Sequence, residues 1–395
     1  MPEVIAAGHL CVDIIPRIMA GSADMAGFLA PGRLTEVGEL TLSTGGSVSN
    51  TGLALHRLNV DVQLVGRLGE DLIADVTRQI LASHGAHLTE HLAIARGEPS
   101  SYTIVINPPG IDRTFLHCPG TNNTFGAEDV DEELLAQTRL FHFGYPPIMR
   151  RMYTDMGREL AAVLSKAKAA GCTVSLDMAM PDPGQPSGRA DWPAILEGAL
   201  PYVDLFMPSI EELLFMLARP RFDELTEAHT DGSIIDALDP DQVRLLAQEA
   251  ISLGARIIVI KMGHRGLYLR TGTLGDDLGR GSPHRVSAWR HRELWSPAFS
   301  VDVVGTVGAG DATIAGFLTA ILRGQSPEAA LNSAAAVGAC NVEAADAISG
   351  VQSWQATQAR LEQGWERLDA GIQWPEWEYD PELALWRGPD DRGDR

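Results

Sequence analysis

The sequence predicts an α/β fold with a mostly parallel central sheet covered by helices. Two observations predict it. Short apolar runs alternate with helical periods along the chain, and several of those runs are apolar throughout rather than alternating. A strand that is apolar on both faces is buried on both, the state of a parallel strand roofed by crossover helices. The runs are Val4–Ala7, Val62–Val65, Leu140–Phe143, Val174–Leu176, Val203–Phe206 and Ile257–Ile260. Between them lie amphipathic stretches such as Tyr153–Ala170, which runs into Gly171, a natural helix stop.

Two regions break this rhythm. Residues 12–44 and about 98–118 read as extended, with Thr103–Ile106 and Thr114–Leu116 as strand candidates, and predict a small separate sheet. Residues 221–240 and 271–298 are rich in Gly, Asp, Arg and Pro and predict surface excursions. From Trp365 the chain carries Trp374, Trp377 and Trp386 among many acids. Residues 365–395 are therefore expected as a tail, partly disordered at its GPDDRGDR end, behind one large unit over 1–364.

Composition excludes several function classes. The chain of 395 residues has 52 acids against 31 Lys and Arg, a net charge of −21. Such a surface repels phosphodiester backbones and anionic membranes, so neither nucleic acid nor membrane is an expected partner. The N-terminal MPEVIAAGHLCVDIIP has no basic n-region, and no window nears the roughly 20 apolar residues of a membrane span. The four cysteines form no CxxC pair, which predicts reduced, buried thiols in a cytoplasmic protein.

The most informative stretch is Val301-DVVGTVGAGDATIAGFLTAILR-Gly324. Ile314, Phe317, Leu318, Ile321 and Leu322 follow helical spacing, so a helix runs to Gly324. Gly308, Ala309 and Gly310 then lie at its start, where backbone N–H groups have no internal partner and the helix dipole favours an anion. Asp311 has two readings. It caps the helix, or it accepts the proton of a hydroxyl attacking a phosphate held at those N–H groups. The Lys of a P-loop is missing, and Thr313 breaks a dinucleotide fingerprint at its third glycine.

Val303–Gly316 resembles the C-terminal signature of the ribokinase-like (PfkB) carbohydrate kinases, whose core is DTxGAGD. Gly45-Gly46-Ser-Val-Ser-Asn50, followed by Gly66-Arg-Leu-Gly69-Glu-Asp71, is similar to the family's N-terminal segments. The resemblance spans roughly residues 3–350. It implies a three-layer αβα sandwich with a small β-sheet lid, here 12–44 and 98–118, whose edges pair into a homodimer in many members. It implies an ATP-dependent kinase that phosphorylates a sugar hydroxyl, with magnesium.

By residue-wise match, Asp311 is the base and Gly308, Ala309 and Gly310 the anion hole. Asp13, Gly45, Gly46 and Asn50 hold the sugar. Alone, Asp13 also reads as a turn residue and Gly45-Gly46 as a turn before a helix. Lys261-Met-Gly263-His-Arg-Gly266 looks like the nucleotide-binding turn, with adenine against the helix near Leu331–Asn341. Ser209-Ile-Glu-Glu212 resembles the family's NxxE, so Glu212 would organise magnesium through water, with Ser209 in place of the Asn. Gly305 stands where the family has an Asp that helps bind a monovalent cation; Asp302 is a partial substitute. Arg113 reads equally as a substrate contact or a solvated strand residue, and His117 and His142 as site or structure. Phe115, Phe141, Phe143 and Tyr145 read as core or as a surface for a base, the latter implying a nucleoside kinase. Gly305 and Ser209 also suit a sensor that binds without catalysis.

Overall fold

The structure is a computed structural model that describes residues 2–19, 31–32, 34–109, 114–229 and 234–393. In chain order its strands are β1 (Val4–Gly8), β2 (Cys11–Pro16), β3 (Leu40–Gly45), β4 (Val62–Val65), β5 (Arg67–Gly69), β6 (Ala93–Ala95), β7 (Tyr102–Ile106) and β8 (Thr114–Cys118). They continue with β9 (Leu140–Gly144), β10 (Thr173–Leu176), β11 (Leu205–Phe206), β12 (Ile257–Lys261), β13 (Leu267–Thr271), β14 (Glu293–Ser296), β15 (Glu378–Asp380) and β16 (Leu385–Arg387).

Six of them form the parallel half of one sheet, in the order β4-β1-β9-β10-β11-β12. Four antiparallel strands extend it beyond β12 as β13-β14-β16-β15. The continuous apolar runs are explained by what lies on each side. In β12, Ile258 and Ile260 point into one core and Ile257 and Val259 into the other, the two-residue period of a pleat. One core is roofed by helices that include Arg158–Ala169, Ile210–Leu217 and Pro240–Ser252. The other is roofed by Ser47–Arg57, Leu72–His84, Ala309–Leu322 and Pro327–Val342. This is the expected αβα sandwich. A second sheet, β3-β2-β7-β8, is built from the two extended regions, and its β2 leaves the main sheet directly after β1.

Four expectations need correction. Residues 271–298 are not a surface excursion: they supply β14 and bury Trp289 and Trp295, while their Gly and Asp serve the turns between. Residues 221–240 carry part of the helix Arg219–Ala228, and beyond it Ile234 and Leu238 enter the core. The amphipathic stretch from Tyr153 is broken at Asp155, Met156 and Gly157, all with positive φ, so its helix is Arg158–Ala169. The tail is ordered to residue 393. It adds β15 and β16, Trp377 packs edge-on against Trp295 with ring centres 5.9 Å apart, and Asp390 and Asp391 pair with Arg270 and Arg292. Its acids answer buried cations instead of solvating a free chain.

Candidate active site

Ligands of parallel sheets gather beyond the C-terminal ends of the strands, where the strand order reverses. Here β1 has β4 on one side and β9 on the other, and the chain leaves those ends through reactive residues. His9 follows β1, Tyr145 follows β9, Asp177 follows β10 and Lys261 closes β12. The glycine turn before Asp311 faces the same edge.

Gly308, at φ 71, caps the helix Ala309–Leu322, a left-handed conformation that suits glycine. The Asp311 carboxylate makes no capping bond to that helix; it turns inward and is 2% exposed. Thr51 Oγ1 donates to Oδ1 at 3.1 Å, and Asn50 Nδ2 and the Tyr145 hydroxyl donate to Oδ2 at 3.1 and 2.8 Å. The capping alternative is thereby removed. Burial raises the Asp311 pKa, and the three donors and the Lys261 charge pull it part of the way back. Tyr145 has a left-handed backbone, φ 66, unusual for an aromatic residue and a local strain of the sort that accumulates at functional sites.

Lys261 Nζ lies 2.6 Å from Asp177 Oδ1 and 3.6 Å from where a Cβ on Gly310 would sit. The ammonium thus lies beside Gly310, at the mouth of the anion turn. Burial works against the Lys261 charge, but Asp177, Glu212 and Asp311 outweigh it and hold the group protonated. Burial pushes the Asp177 carboxyl up, against the pull of Lys261.

Three connected cavities meet here. One, of about 330 Å³, has apolar walls from Phe299, Val301, Val303, Ala339 and Leu368, and ends at Lys261, Thr306 and Gly310. Gly263 and Gly266 line it, and so does the helix Pro327–Val342 through Ala335, Gly338 and Ala339. The middle one, of about 620 Å³, holds Asp177, Ser209, Glu211, Glu212, Lys261, Gly308, Gly310 and Asp311. The third, of about 1220 Å³, lies under the small sheet and is lined by His9, Asp13, Gly46, Thr103, Phe115 and His117, among others. Tyr145 and Met180 line both the second and the third.

The expected sugar-holding residues divide. Asp13 and Gly46 line the third cavity. Gly45 makes room for the Asp13 carboxylate, which a Cβ there would overlap. Asn50 instead gives its amide to Asp311. Arg113 lies outside the described residues. Ser209 and Glu212 form a capping box, Ser209 Oγ accepting from Glu212 N at 3.2 Å and Glu212 Oε2 accepting from Ser209 N at 2.7 Å. Phe141, Phe143 and His142 are core residues, and His142 bonds Ser175. His117 does face the third cavity, its Nε2 3.3 Å from His9 Nε2 and its Nδ1 3.0 Å from Thr103 Oγ1. One hydrogen fits between the two Nε2 atoms. Burial lowers the pKa of both imidazoles, and for His9 the neighbouring His117 adds to it.

Residues that sequence reading passed over are Thr51, Asp177, His9 and Thr103. Asp177 had a signal: an acid directly after an apolar parallel strand. The others are ordinary letters until the fold brings them together.

Among the described residues no three His, Cys, Asp or Glu side chains form a metal cage. Glu211, Glu212 and Asp177 are separate oxygen donors on one cavity, which fits magnesium met through waters and phosphate oxygens. The monovalent-cation site does not fit. Gly305 has no carboxylate, a Cβ there would stand 2.9 and 3.0 Å from the carbonyl oxygens of Ala344 and Ala345, and Asp302 is exposed. No helix among the described residues is long and apolar enough to cross a membrane.

The fold is that of known ribokinases. Arabidopsis thaliana ribokinase, solved with ribose and ATP, superposes with a TM-score of 0.66 at 18% identity over 91% of this chain and 99% of that one. A fructokinase from Xylella fastidiosa with bound ATP gives 0.67 at 20% identity, over 91% and 98%. In sequence, an ATP-dependent ribose-1-phosphate kinase from Halopiger xanaduensis is 28% identical over 346 residues, 86% of this chain and 91% of that protein. Deoxyribokinase of Salmonella typhimurium is 24% identical over 79% of this chain and 85% of its own length. The family model described as pfkB family carbohydrate kinase matches residues 4–354, nearly the span expected from the two glycine signatures. The chain belongs to the pfkB family of carbohydrate kinases.

Proposed function

We propose that this phosphotransferase moves the γ-phosphate of ATP to a sugar hydroxyl, with Asp311 as general base. The observation that carries the reading is the position of Asp311: a buried carboxylate, held by three donors, on a cavity that shares wall residues with an apolar slot and with the larger chamber under the small sheet. The apolar cavity suits adenine. Its polar end passes the phosphates to Lys261 and to the N–H groups of Gly308, Ala309 and Gly310. Asp311 takes the proton of the attacking hydroxyl, the new P–O bond forms at the γ-phosphorus, and the bond to the bridging oxygen breaks to release ADP. Magnesium bound with ATP would supply charge neutralisation on the phosphates, its waters held by Glu212 and neighbouring carboxylates. The small sheet covers the acceptor chamber and keeps out water, the competing nucleophile.

The relatives act, by name, on ribose 1-phosphate, deoxyribose, ribose and fructose, so the acceptor class is a pentose or hexose, free or phosphorylated. A nucleoside acceptor is the second reading, supported by Phe115 in the acceptor cavity. A coupled assay of ADP release over sugars, sugar phosphates and nucleosides separates the two. Asp311→Asn is expected to lower turnover by about 10²–10⁴-fold, the usual contribution of a general base, while ATP still binds. Turnover near that of the wild type would remove the assignment.

A further inference from the structure

The acceptor chamber is chemically uneven. It presents two carboxylates suited to hydroxyl donors, Asp13 and the exposed Asp182. Its outer wall carries Arg150 and Asn123, and Arg150 is the one guanidinium or ammonium that lines the chamber among the described residues. Arg150 does not reach the middle cavity that holds Asp311, so it stands apart from the transferring phosphate.

Two features make this wall a donor surface. The first is that Arg150, an exposed residue at the mouth of the chamber, has no carboxylate or carbonyl partner for its guanidinium among the described residues. Its neighbour Arg151, by contrast, is bound by Glu128, by Glu159 at 2.9 Å and by the Thr124 carbonyl at 2.9 Å. The second is the orientation of Asn123. Its Oδ1 accepts from the Arg150 backbone N–H at 2.9 Å, and only the oxygen of an amide can do so. The Asn123 NH2 group is left as a donor without a protein acceptor among the described residues. Fork-shaped guanidinium and amide donors together match the several oxygens of a phosphate ester. The chamber has room for one: at about 1220 Å³ it exceeds the roughly 300–1,000 Å³ of ordinary small-molecule sites.

We infer that the acceptor is a sugar monophosphate whose phosphate is held by Arg150 and Asn123, a specificity site separate from the ATP phosphates. This rests on the kinase reading above and adds the acceptor's charge to it. The test is a matched-pair assay: ribose against ribose 1-phosphate, and fructose against fructose 6-phosphate, with gluconate as a carboxylate-bearing control. The wild type should show kcat/KM at least about tenfold higher for a phosphorylated partner. Arg150→Ala should lower that value about 10- to 100-fold, mainly through KM, with the free sugar changed less than about twofold and KM for ATP unmoved. Arg150→Lys, which keeps the charge and loses the fork, should fall between, and Asn123→Ala should lose a few-fold.

A preference for the free sugars or for gluconate, or a phosphorylated-to-free ratio that survives Arg150→Ala, would overturn the inference and leave the kinase reading standing. If no acceptor drives ADP release, it is the kinase reading that fails. Calorimetry with ribose 1-phosphate and fructose 6-phosphate in the absence of ATP then decides this site alone: binding weakened by Arg150→Ala supports it, and no binding, or binding that Arg150→Ala leaves unchanged, refutes it.

Discussion

The Tyr145 hydroxyl donates to Asp311 Oδ2 across 2.8 Å, from a residue whose backbone sits in the left-handed region at φ 66. The bond joins the end of β9 to the start of the helix Ala309–Leu322, and it stabilises the ionised form of the carboxylate. Burial alone would favour the neutral acid, which could not serve as the base proposed above. The surrounding donors are therefore part of what keeps the group usable near neutral pH.

Tyr145→Phe tests this. Burial already holds the Asp311 pKa above the ordinary value, and the Tyr145 bond is the largest effect opposing it. Removing that bond raises the pKa further, so a larger fraction of the carboxyl is protonated and inactive at low pH. The acid limb of kcat/KM should move to higher pH, with the rate at alkaline pH much less affected. An unmoved limb would mean that the limb belongs to another group.

Lys261 and Asp177 should be inseparable. Their 2.6 Å ion pair is nearly closed to water, with the Asp177 side chain 1% exposed. Lys261→Met leaves a buried carboxylate without its partner, a change that typically costs about 3–5 kcal/mol. Adding Asp177→Asn removes the stranded charge and should restore a good part of the loss in urea unfolding. KM for ATP should stay raised in both variants, because the ammonium beside Gly310 is missing in each. Stability unaffected by Lys261→Met would show that the pair is not closed off as described.

Much of this site was legible before any fold was known, and the reasons are local. Gly308 through Asp311, Gly263 and Gly266 announce themselves because turns and helix starts need particular residues at fixed offsets. Thr51 and His9 do not, since their roles come from contacts with residues far away in sequence, Asp311 and His117. The same divide holds for the fold. The apolar strands were readable because both faces are buried, whereas β14, β15 and β16 mix charged with aromatic residues. Glu293, in the middle of the sheet, looks like a surface residue in the sequence. It is tolerated because Tyr268 donates to it at 2.8 Å and Arg270 pairs with it at 3.0 Å.

Gly266 and Gly97 offer a controlled comparison. Both have positive φ, at 95 and 77, and Gly266, with ψ −136, lies outside the left-handed helical well, so alanine strains either backbone by about 1–3 kcal/mol. Around Gly97 a Cβ would meet nothing within 4 Å, while at Gly266 it would overlap the Ser296 carbonyl oxygen and approach Ala298 N at 2.7 Å. Gly97→Ala should cost little beyond that strain. Gly266→Ala should cost clearly more in thermal unfolding and should weaken ATP binding, because the displaced turn lines the cavity proposed for adenine. Equal destabilisation by the two substitutions would contradict the packing.

The C-terminal residues should behave as part of the sheet rather than as an appendage. Arg292, with its side chain 4% exposed, is held by Glu328 and by Asp391, the latter at 2.7 Å from a side chain that is also 4% exposed. Asp391→Ala leaves Arg292 with Glu328 and the Ala288 carbonyl, and it also takes away a partner of Arg387 at 2.9 Å and the acceptor of the Glu293 N–H, so it should cost more than one charged hydrogen bond, worth about 1.5–3 kcal/mol. Truncation after Trp377 does more. It removes β15 and β16, so the backbone edge of β14 opens to solvent, and it withdraws Leu385 from the core along with the acids that pair Arg270 and Arg292. An uncovered edge of that length is a template for pairing with other chains. The truncated protein should melt earlier and aggregate, as measured by calorimetry and light scattering. The fraction that stays folded should keep its turnover, since none of the removed residues lines the three cavities. A truncated chain as stable as the full one would return residues 378–393 to the status of a tail.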